Sequence, residues 1–222
     1  MCGKFTQMAS WRDVHAFSQP MGLKHAGDRI ETATPMRFAH VMRLNAYRER
    51  EMVPMRWGFS KSFDAAQARP DHMYARAETV DRLPTFRDAF ARQRGLLFVH
   101  TFNEGEELPS GRTKQWVVTP MDGAPIAIAV ICEARRQGDT ALWTFVQVTT
   151  AANKLIAPLT DRMPAVLPPD AWPAWLGETG ASLADVKALL VPFEDKGAWK
   201  LSPQAPIPRS PPSGPPQPDL FS

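Results

Sequence analysis

A chain of 222 residues with 44% hydrophobic content can bury one sizeable core, so one folded unit with appendages is expected. Two cysteines, Cys2 and Cys132, are too few for a disulfide framework, and with no secretory leader or membrane-spanning apolar run read, a soluble cytoplasmic chain with reduced thiols is expected. The formal charge of +3 permits a phosphate-bearing partner without requiring one.

The chain opens Met1-Cys2-Gly3. Removal of Met1 would leave Cys2 with an α-amine and a thiol, whose reference pKa values of roughly 7.7–8.0 and 8.5 populate both nucleophiles near neutral pH. That pair suits aldehydes, because the amine forms a Schiff base that the thiol closes to a thiazolidine ring. An incidental buried cysteine is the alternative. Trp11–Phe17 has helical spacing of large residues, and Arg37–Leu44 alternates in part as a half-buried strand does. Phe86–Arg94 reads as a helix stopped by Gly95, followed by a buried strand at Leu96–Val99. Further strands are predicted at Trp116–Thr119, Ile126–Ile131 and Ala141–Thr149, with a turn at Gln137-Gly138-Asp139. Asp170 and Ser182 are candidate N-caps for helices at Ala171–Leu176 and Leu183–Leu190. Strands dominate without regular helix alternation, which predicts an α+β fold: a mixed, largely antiparallel, barrel-like sheet with flanking helices. Residues 1–200 read as the folded unit, and residues 201–222, rich in Pro and Ser, as a disordered tail.

Four segments occur in order: Met1-Cys2-Gly3-Lys4-Phe5, Met55-Arg56-Trp57-Gly58-Phe59, Ala75-Arg76-Ala77-Glu78-Thr79, and Val148–Asn153 leading to Asp161–Leu167. A weaker fifth is Phe102-Asn103-Glu104. Together they resemble the SRAP family, the abasic-site processing proteins also called SOS response-associated peptidases. The resemblance implies that Cys2, freed by autocatalytic loss of Met1, captures the aldehyde of an abasic site in single-stranded DNA. It implies Glu104 as acid/base and Arg76 and Arg162 as phosphate holders; Trp57 and Phe63 offer apolar faces on which bases could stack. The chemistry suits these types: a carboxyl shuttles the proton for loss of water, and an arginine fork matches phosphate oxygens. Structural alternatives stand beside each role: a solvated acidic turn at Glu104–Glu107, an Arg76–Glu78 ion pair, a core Trp57, and an Arg162–Asp161 salt bridge.

The chain departs from the family pattern at two supporting positions. Tyr74 stands where the family usually has Asn, and Thr160 where it usually has His; Gly105 replaces the usual Trp after the glutamate. Threonine does not titrate near neutral pH, and tyrosine cannot replace an amide's paired donor and acceptor. His72 and His100 are nearby in sequence and could compensate. The chain ends Gln217-Pro218-Asp219-Leu220-Phe221-Ser222, which resembles the peptide with which bacterial proteins dock on the DNA polymerase sliding clamp. Gln217, Leu220 and Phe221 would make those contacts. Two functions are carried forward: a monomeric, nucleoid-associated DNA-repair enzyme needing no metal or organic cofactor, or a catalytically degenerate DNA-binding adaptor recruited to the clamp.

Overall fold

The structure, a computed structural model, describes residues 3–7, 31–60, 70–137 and 140–204. Its strands in chain order are β1 (Lys4–Gln7), β2 (Glu31–Ala33), β3 (Phe38–Leu44), β4 (Arg50–Trp57), β5 (Tyr74–Arg76), β6 (Arg94–Val99), β7 (Thr101–Glu107), β8 (Thr113–Pro120), β9 (Ile126–Gln137), β10 (Thr140–Ala151), β11 (Arg162–Pro164) and β12 (Trp199–Pro203). Short helices are α1 (Arg87–Arg92), α2 (Trp172–Leu176) and α3 (Leu183–Ala188). No described helix is long and apolar enough to cross a membrane.

Strand β10 organises the molecule. It runs antiparallel to β9 from Thr140↔Gln137 to Gln147↔Val130, and parallel to β4 at Thr144↔Arg56 and Phe145↔Trp57. Because β4 pairs β3, β3 pairs β6 and β6 pairs β9, these five strands close into a barrel. Alternate side chains on each strand then serve two cores. Val41, Met55, Trp57, Leu97, Val130 and Phe145 fill the interior. Met42, Leu96, Phe98, Ile131 and Val146 point outward, where Phe90 of α1, Trp172 and Trp175 of α2 and Val186 of α3 cover them. The α+β barrel with flanking helices is the fold class that the sequence predicts; the two parallel pairings, β10 with β4 and with β5, make it mixed.

Beyond the barrel, β10 changes partners on both edges. Gln147–Thr149 run parallel to Tyr74–Arg76 of β5, and Thr149–Ala151 run antiparallel to Arg162–Pro164 of β11. A second sheet, ordered β12-β8-β7-β1-β2, lays Phe5, Phe102, Val118 and Trp199 against the barrel interior.

Three sequence expectations are corrected. Gly95 does not stop a helix: α1 ends at Arg92, and Gly95 sits within β6, paired with Arg43 and Val130. A Cβ there would lie 2.7 Å from Val41 Cγ1 and 2.8 Å from the Met42 carbonyl, so the tight barrel interior, not chain reversal, requires glycine. Asp170 caps nothing: it lies inside a 3-10 turn, Pro169–Ala171, and α2 follows with Pro173 in its first turn and no side-chain cap. Ser182 does cap α3, in a reciprocal box with Asp185. Ser202 and Pro203 belong to β12, and the Gln204 N–H donates to the Gln115 carbonyl at 2.8 Å, so the ordered chain runs past residue 200. The helix expected at Trp11–Phe17 lies outside the described residues.

Candidate active site

The site is built where β1, β7 and β8 meet. Lys4 pairs with Asn103, the neighbour of Glu104, and Phe5 with Phe102, so the antiparallel β1 runs back toward Glu104 at its N-terminal end. The N-terminal strand therefore leads toward that carboxyl. Glu104 pairs with Trp116 on the other side, and paired residues project to one face. Its neighbour two residues back, Phe102, lies in the core, and Glu104 itself is 0% exposed. The acidic turn considered at Glu104–Glu107 is thus a strand. Its first carboxyl is buried and its later ones, at Glu106 and Glu107, reach the surface. Cys2, Phe63, Gln217, Leu220 and Phe221 lie outside the described residues.

Trp57 is not a stacking platform. It is 0% exposed, its ring stacked on Phe145 at 6.3 Å, tilted on Phe5 at 5.1 Å and edge-on to Tyr74 at 5.9 Å. Its Nε1 donates to the Met73 carbonyl at 3.1 Å. A residue with every face occupied by core neighbours presents none to a base. The surrounding motif is architectural as well. Gly58 has φ +115, and a Cβ there would meet Pro70 Cβ at 2.4 Å. Arg56 is 1% exposed with its pKa lowered by burial and then by Arg135.

The two arginines differ. Arg76 is exposed on β5. Arg162 is 7% exposed and its fork is occupied: Nη1 and Nη2 both donate to the Glu78 carboxylate, and Nη2 also donates to the Thr149 carbonyl. The ion pair joins residues 84 apart in sequence, and neither Asp161 with Arg162 nor Arg76 with Glu78 is the hydrogen-bonded pair. Arg162's hydrogen bonds are the main cause holding Glu78 below its ordinary pKa, opposed by partial burial and aided by the charge of Arg76.

Tyr74 is half-buried beside Gln147 in the β5–β10 register. Thr160 is half-buried at the end of a turn, its N–H donating to the Ile156 carbonyl at 3.2 Å. Asn153 opens that turn: its Oδ1 accepts from the Ile156 N–H at 3.0 Å and its Nδ2 donates to the Phe193 carbonyl at 2.9 Å. His72 is exposed with its ring edge-on to Phe86 at 5.3 Å. His100 sits where β6 turns into β7, four residues before Glu104, its N–H donating to the Thr6 carbonyl at 3.0 Å. Cys132, the free cysteine among the described residues, is sealed in the barrel, and burial pushes its thiol up to about 12. It stays protonated and unreactive.

Three residues beyond the sequence reading belong to this account. Glu78 holds Arg162; nothing local signals a partner so distant. Gln147 is 0% exposed, and neither of its amide atoms has a hydrogen-bond partner among the described residues. Trp116 faces the same side as Glu104. Its signal was the Pro109-Ser110-Gly111 turn, which joins β7 to β8 as a hairpin and thereby fixes the register. A groove of about 250 Å³ formed by described residues lies elsewhere. Trp172, Phe193 and Trp199 line it, at the Pro120 end of β8, four residues along the strand from Trp116. It holds little of the polar chemistry found around Glu104.

Known proteins share this design. Solved structures of proteins from Bordetella bronchiseptica and Bacteroides thetaiotaomicron superpose with TM-scores of 0.73 and 0.74 at 21% and 20% identity, covering 92% and 91% of this chain and 100% and 91% of theirs. The abasic site processing protein YoaM of Bacillus subtilis is 30% identical over 132 residues, a match spanning 58% of each chain. The abasic site processing protein YoqW of the same organism is 23% identical over 211 residues, 91% of this chain and 92% of its own. The model of the family described as SOS response associated peptidase (SRAP) matches residues 1–204, and the chain belongs to that family.

Proposed function

We propose that this protein processes abasic sites in DNA by capturing them covalently through Cys2, on single strands. The observation that carries this reading is the fully buried Glu104 on the strand against which the N-terminal strand is registered. Relatives named abasic site processing proteins point to the same substrate. Hydrolysis of the Met1–Cys2 bond frees the α-amine. The amine adds to the C1′ aldehyde of the ring-opened sugar, giving a carbinolamine. Glu104 in its acid form protonates the departing hydroxyl, which leaves as water, and an imine remains. The Cys2 thiolate then adds to the imine carbon and the nitrogen takes back a proton, closing the thiazolidine with a net loss of one water. Exposed Arg76 steers the strand by its phosphates; Arg162 joins it only when DNA displaces Glu78. The chain to residue 204, which includes β12 and the Gln204 contact to β8, acts as the monomeric chemical unit. The tail beyond it is a tether whose Gln217, Leu220 and Phe221 engage the sliding clamp, keeping the protein near replicating DNA in the nucleoid.

Incubation with abasic single-stranded DNA followed by a denaturing gel tests the reading. A stable adduct is expected from the wild type and none from Cys2→Ala. Cys2→Ser keeps the amine but lacks the soft thiol, so it should give at most a hydrolysable Schiff base. A wild type that binds DNA yet forms no adduct between pH 6 and 8 would establish the second reading, a clamp-recruited adaptor. Tyr74, Thr160 and the occupied fork of Arg162 are the observations that favour that alternative.

A further inference from the structure

Trp116 differs from the core tryptophans Trp57, Trp172 and Trp175 in what its ring meets. Trp57, Trp172 and Trp175 are at most 2% exposed, whereas Trp116 is half-buried midway along β8, after four exposed residues, Arg112 to Gln115. It pairs with Glu104, so the two Cα atoms are about 4.5–5.5 Å apart and both side chains leave one face of the sheet. One edge of the indole is fixed, because Nε1 donates to Glu106 Oε2 at 2.8 Å. One face carries the Lys114 ammonium, 4.1 Å from the ring centroid. The ring is therefore oriented by a hydrogen bond at its edge and covered on one face by an exposed side chain.

We infer that Trp116 is a stacking subsite for a nucleobase next to the captured sugar, with Lys114 as the group the base displaces. The inference rests on the proposed reading for its substrate, single-stranded DNA, and on the register for its place beside Glu104. The energies favour the exchange. An exposed cation–π contact is worth about 0.5–1 kcal/mol, whereas a base stacked on an aromatic side chain is worth about 1–3 kcal/mol. The displaced ammonium stays within reach of the strand's phosphates. Glu106 neutralises part of the local positive charge and already holds the indole N–H, so the subsite selects a flat π-surface and not a charge. Every base has such a face, and the subsite is accordingly indifferent to sequence. The opposite face of β7 offers no equivalent: at Gly105 a Cβ would lie 2.7 Å from Thr113 Cγ2.

The test compares wild type, Trp116→Ala and Trp116→Phe on three single-stranded oligonucleotides: intact, with one abasic site flanked by bases, and with that site flanked by further abasic residues. Melting temperatures are measured alongside. Trp116→Ala should bind the base-flanked and intact strands roughly 5- to 100-fold more weakly and bind the strand lacking neighbouring bases as wild type does. Trp116→Phe should keep most of the affinity. Equal affinity of wild type and Trp116→Ala on base-flanked DNA would overturn the subsite, as would an equal loss on all three strands, which marks a structural ring. The intact strand separates this outcome from the function itself: loss of affinity there on Trp116→Ala supports the subsite even where no adduct forms.

Discussion

The two edges of β10 beyond the barrel carry the same kind of residue in opposite surroundings. On the β5 edge, Arg76 is exposed, with its charge felt at Glu78 but no hydrogen-bond partner for its fork among the described residues. On the β11 edge, Arg162 is nearly buried and bound at Glu78 and the Thr149 carbonyl. A guanidinium that already has a carboxylate and a carbonyl serves first to lock β11 and the β5 loop onto β10. An open one is ready for phosphate. Each edge also carries one departure from the family pattern, two residues before its arginine: Tyr74 before Arg76, Thr160 before Arg162.

The largest expected effect comes from repairing both departures at once. A missing positioned acid/base group typically costs on the order of 100-fold in a proton-transfer step. The double substitution Tyr74→Asn with Thr160→His should speed adduct formation or its reversal by up to that factor, read from time courses on abasic DNA. An unchanged rate in both directions would show that this chain's surroundings already supply the function.

Arg162→Ala comes next, and it probes architecture. Loss of hydrogen bonds to charged and carbonyl partners, worth about 1.5–3 kcal/mol, should lower the melting temperature by roughly 3–10 °C. Arg76→Ala should leave the melting temperature nearly unchanged. It should instead weaken binding to undamaged single strands at low salt and flatten the slope of log affinity against log salt by about 0.7, one phosphate contact on a single strand. A reversed pattern, with Arg76→Ala unstable and Arg162→Ala flattening the slope, would break the comparison.

The smallest effect is the pH dependence of the Glu78–Arg162 pair. Arg162 holds the folded-state pKa of Glu78 below its ordinary 4.5. The pair's stabilisation is therefore complete above pH 4.5 and fades as acid protonates the folded-state carboxylate. Glu78 is 53% exposed at its side chain, so solvent screens the pair and the effect is small. Thermal melts should show wild type and Glu78→Gln differing at pH 7 and converging below about pH 4.5. A constant gap across that range would mean that the pair's charge contributes nothing.

The sequence carried the long elements better than the site. Alternating runs at Phe38–Leu44, Ile126–Ile131 and Ala141–Thr149 became β3, β9 and β10, because a strand buried on one or both faces writes its period into its residues. Glu104–Glu107 offered a turn as its local reading, and residues 201–203, the end of β12, read as tail. Their local composition is charged or proline-bearing, and only pairing with β8 makes them strands. The arginines were found as residues but their partners were not. Sequence offers neighbours, Glu78 to Arg76 and Asp161 to Arg162, while the fold pairs Arg162 with Glu78 across 84 positions. Trp57 was visible as part of a motif, but a motif marks a position and not its exposure. Trp116 was visible as a strand residue, and its relation to Glu104 appeared only once the hairpin register was known.

The central claim, thiazolidine capture by a freed N-terminal cysteine, is tested most directly by the intact mass of the protein after reaction with an abasic oligonucleotide, before and after iodoacetamide. The account predicts a species equal to the chain without Met1 plus the oligonucleotide less one water. Its mass should show no alkylation at Cys2, because the thiol is locked in the ring. A retained Met1, an adduct whose Cys2 accepts the alkyl group, or an adduct that survives in Cys2→Ala would contradict it.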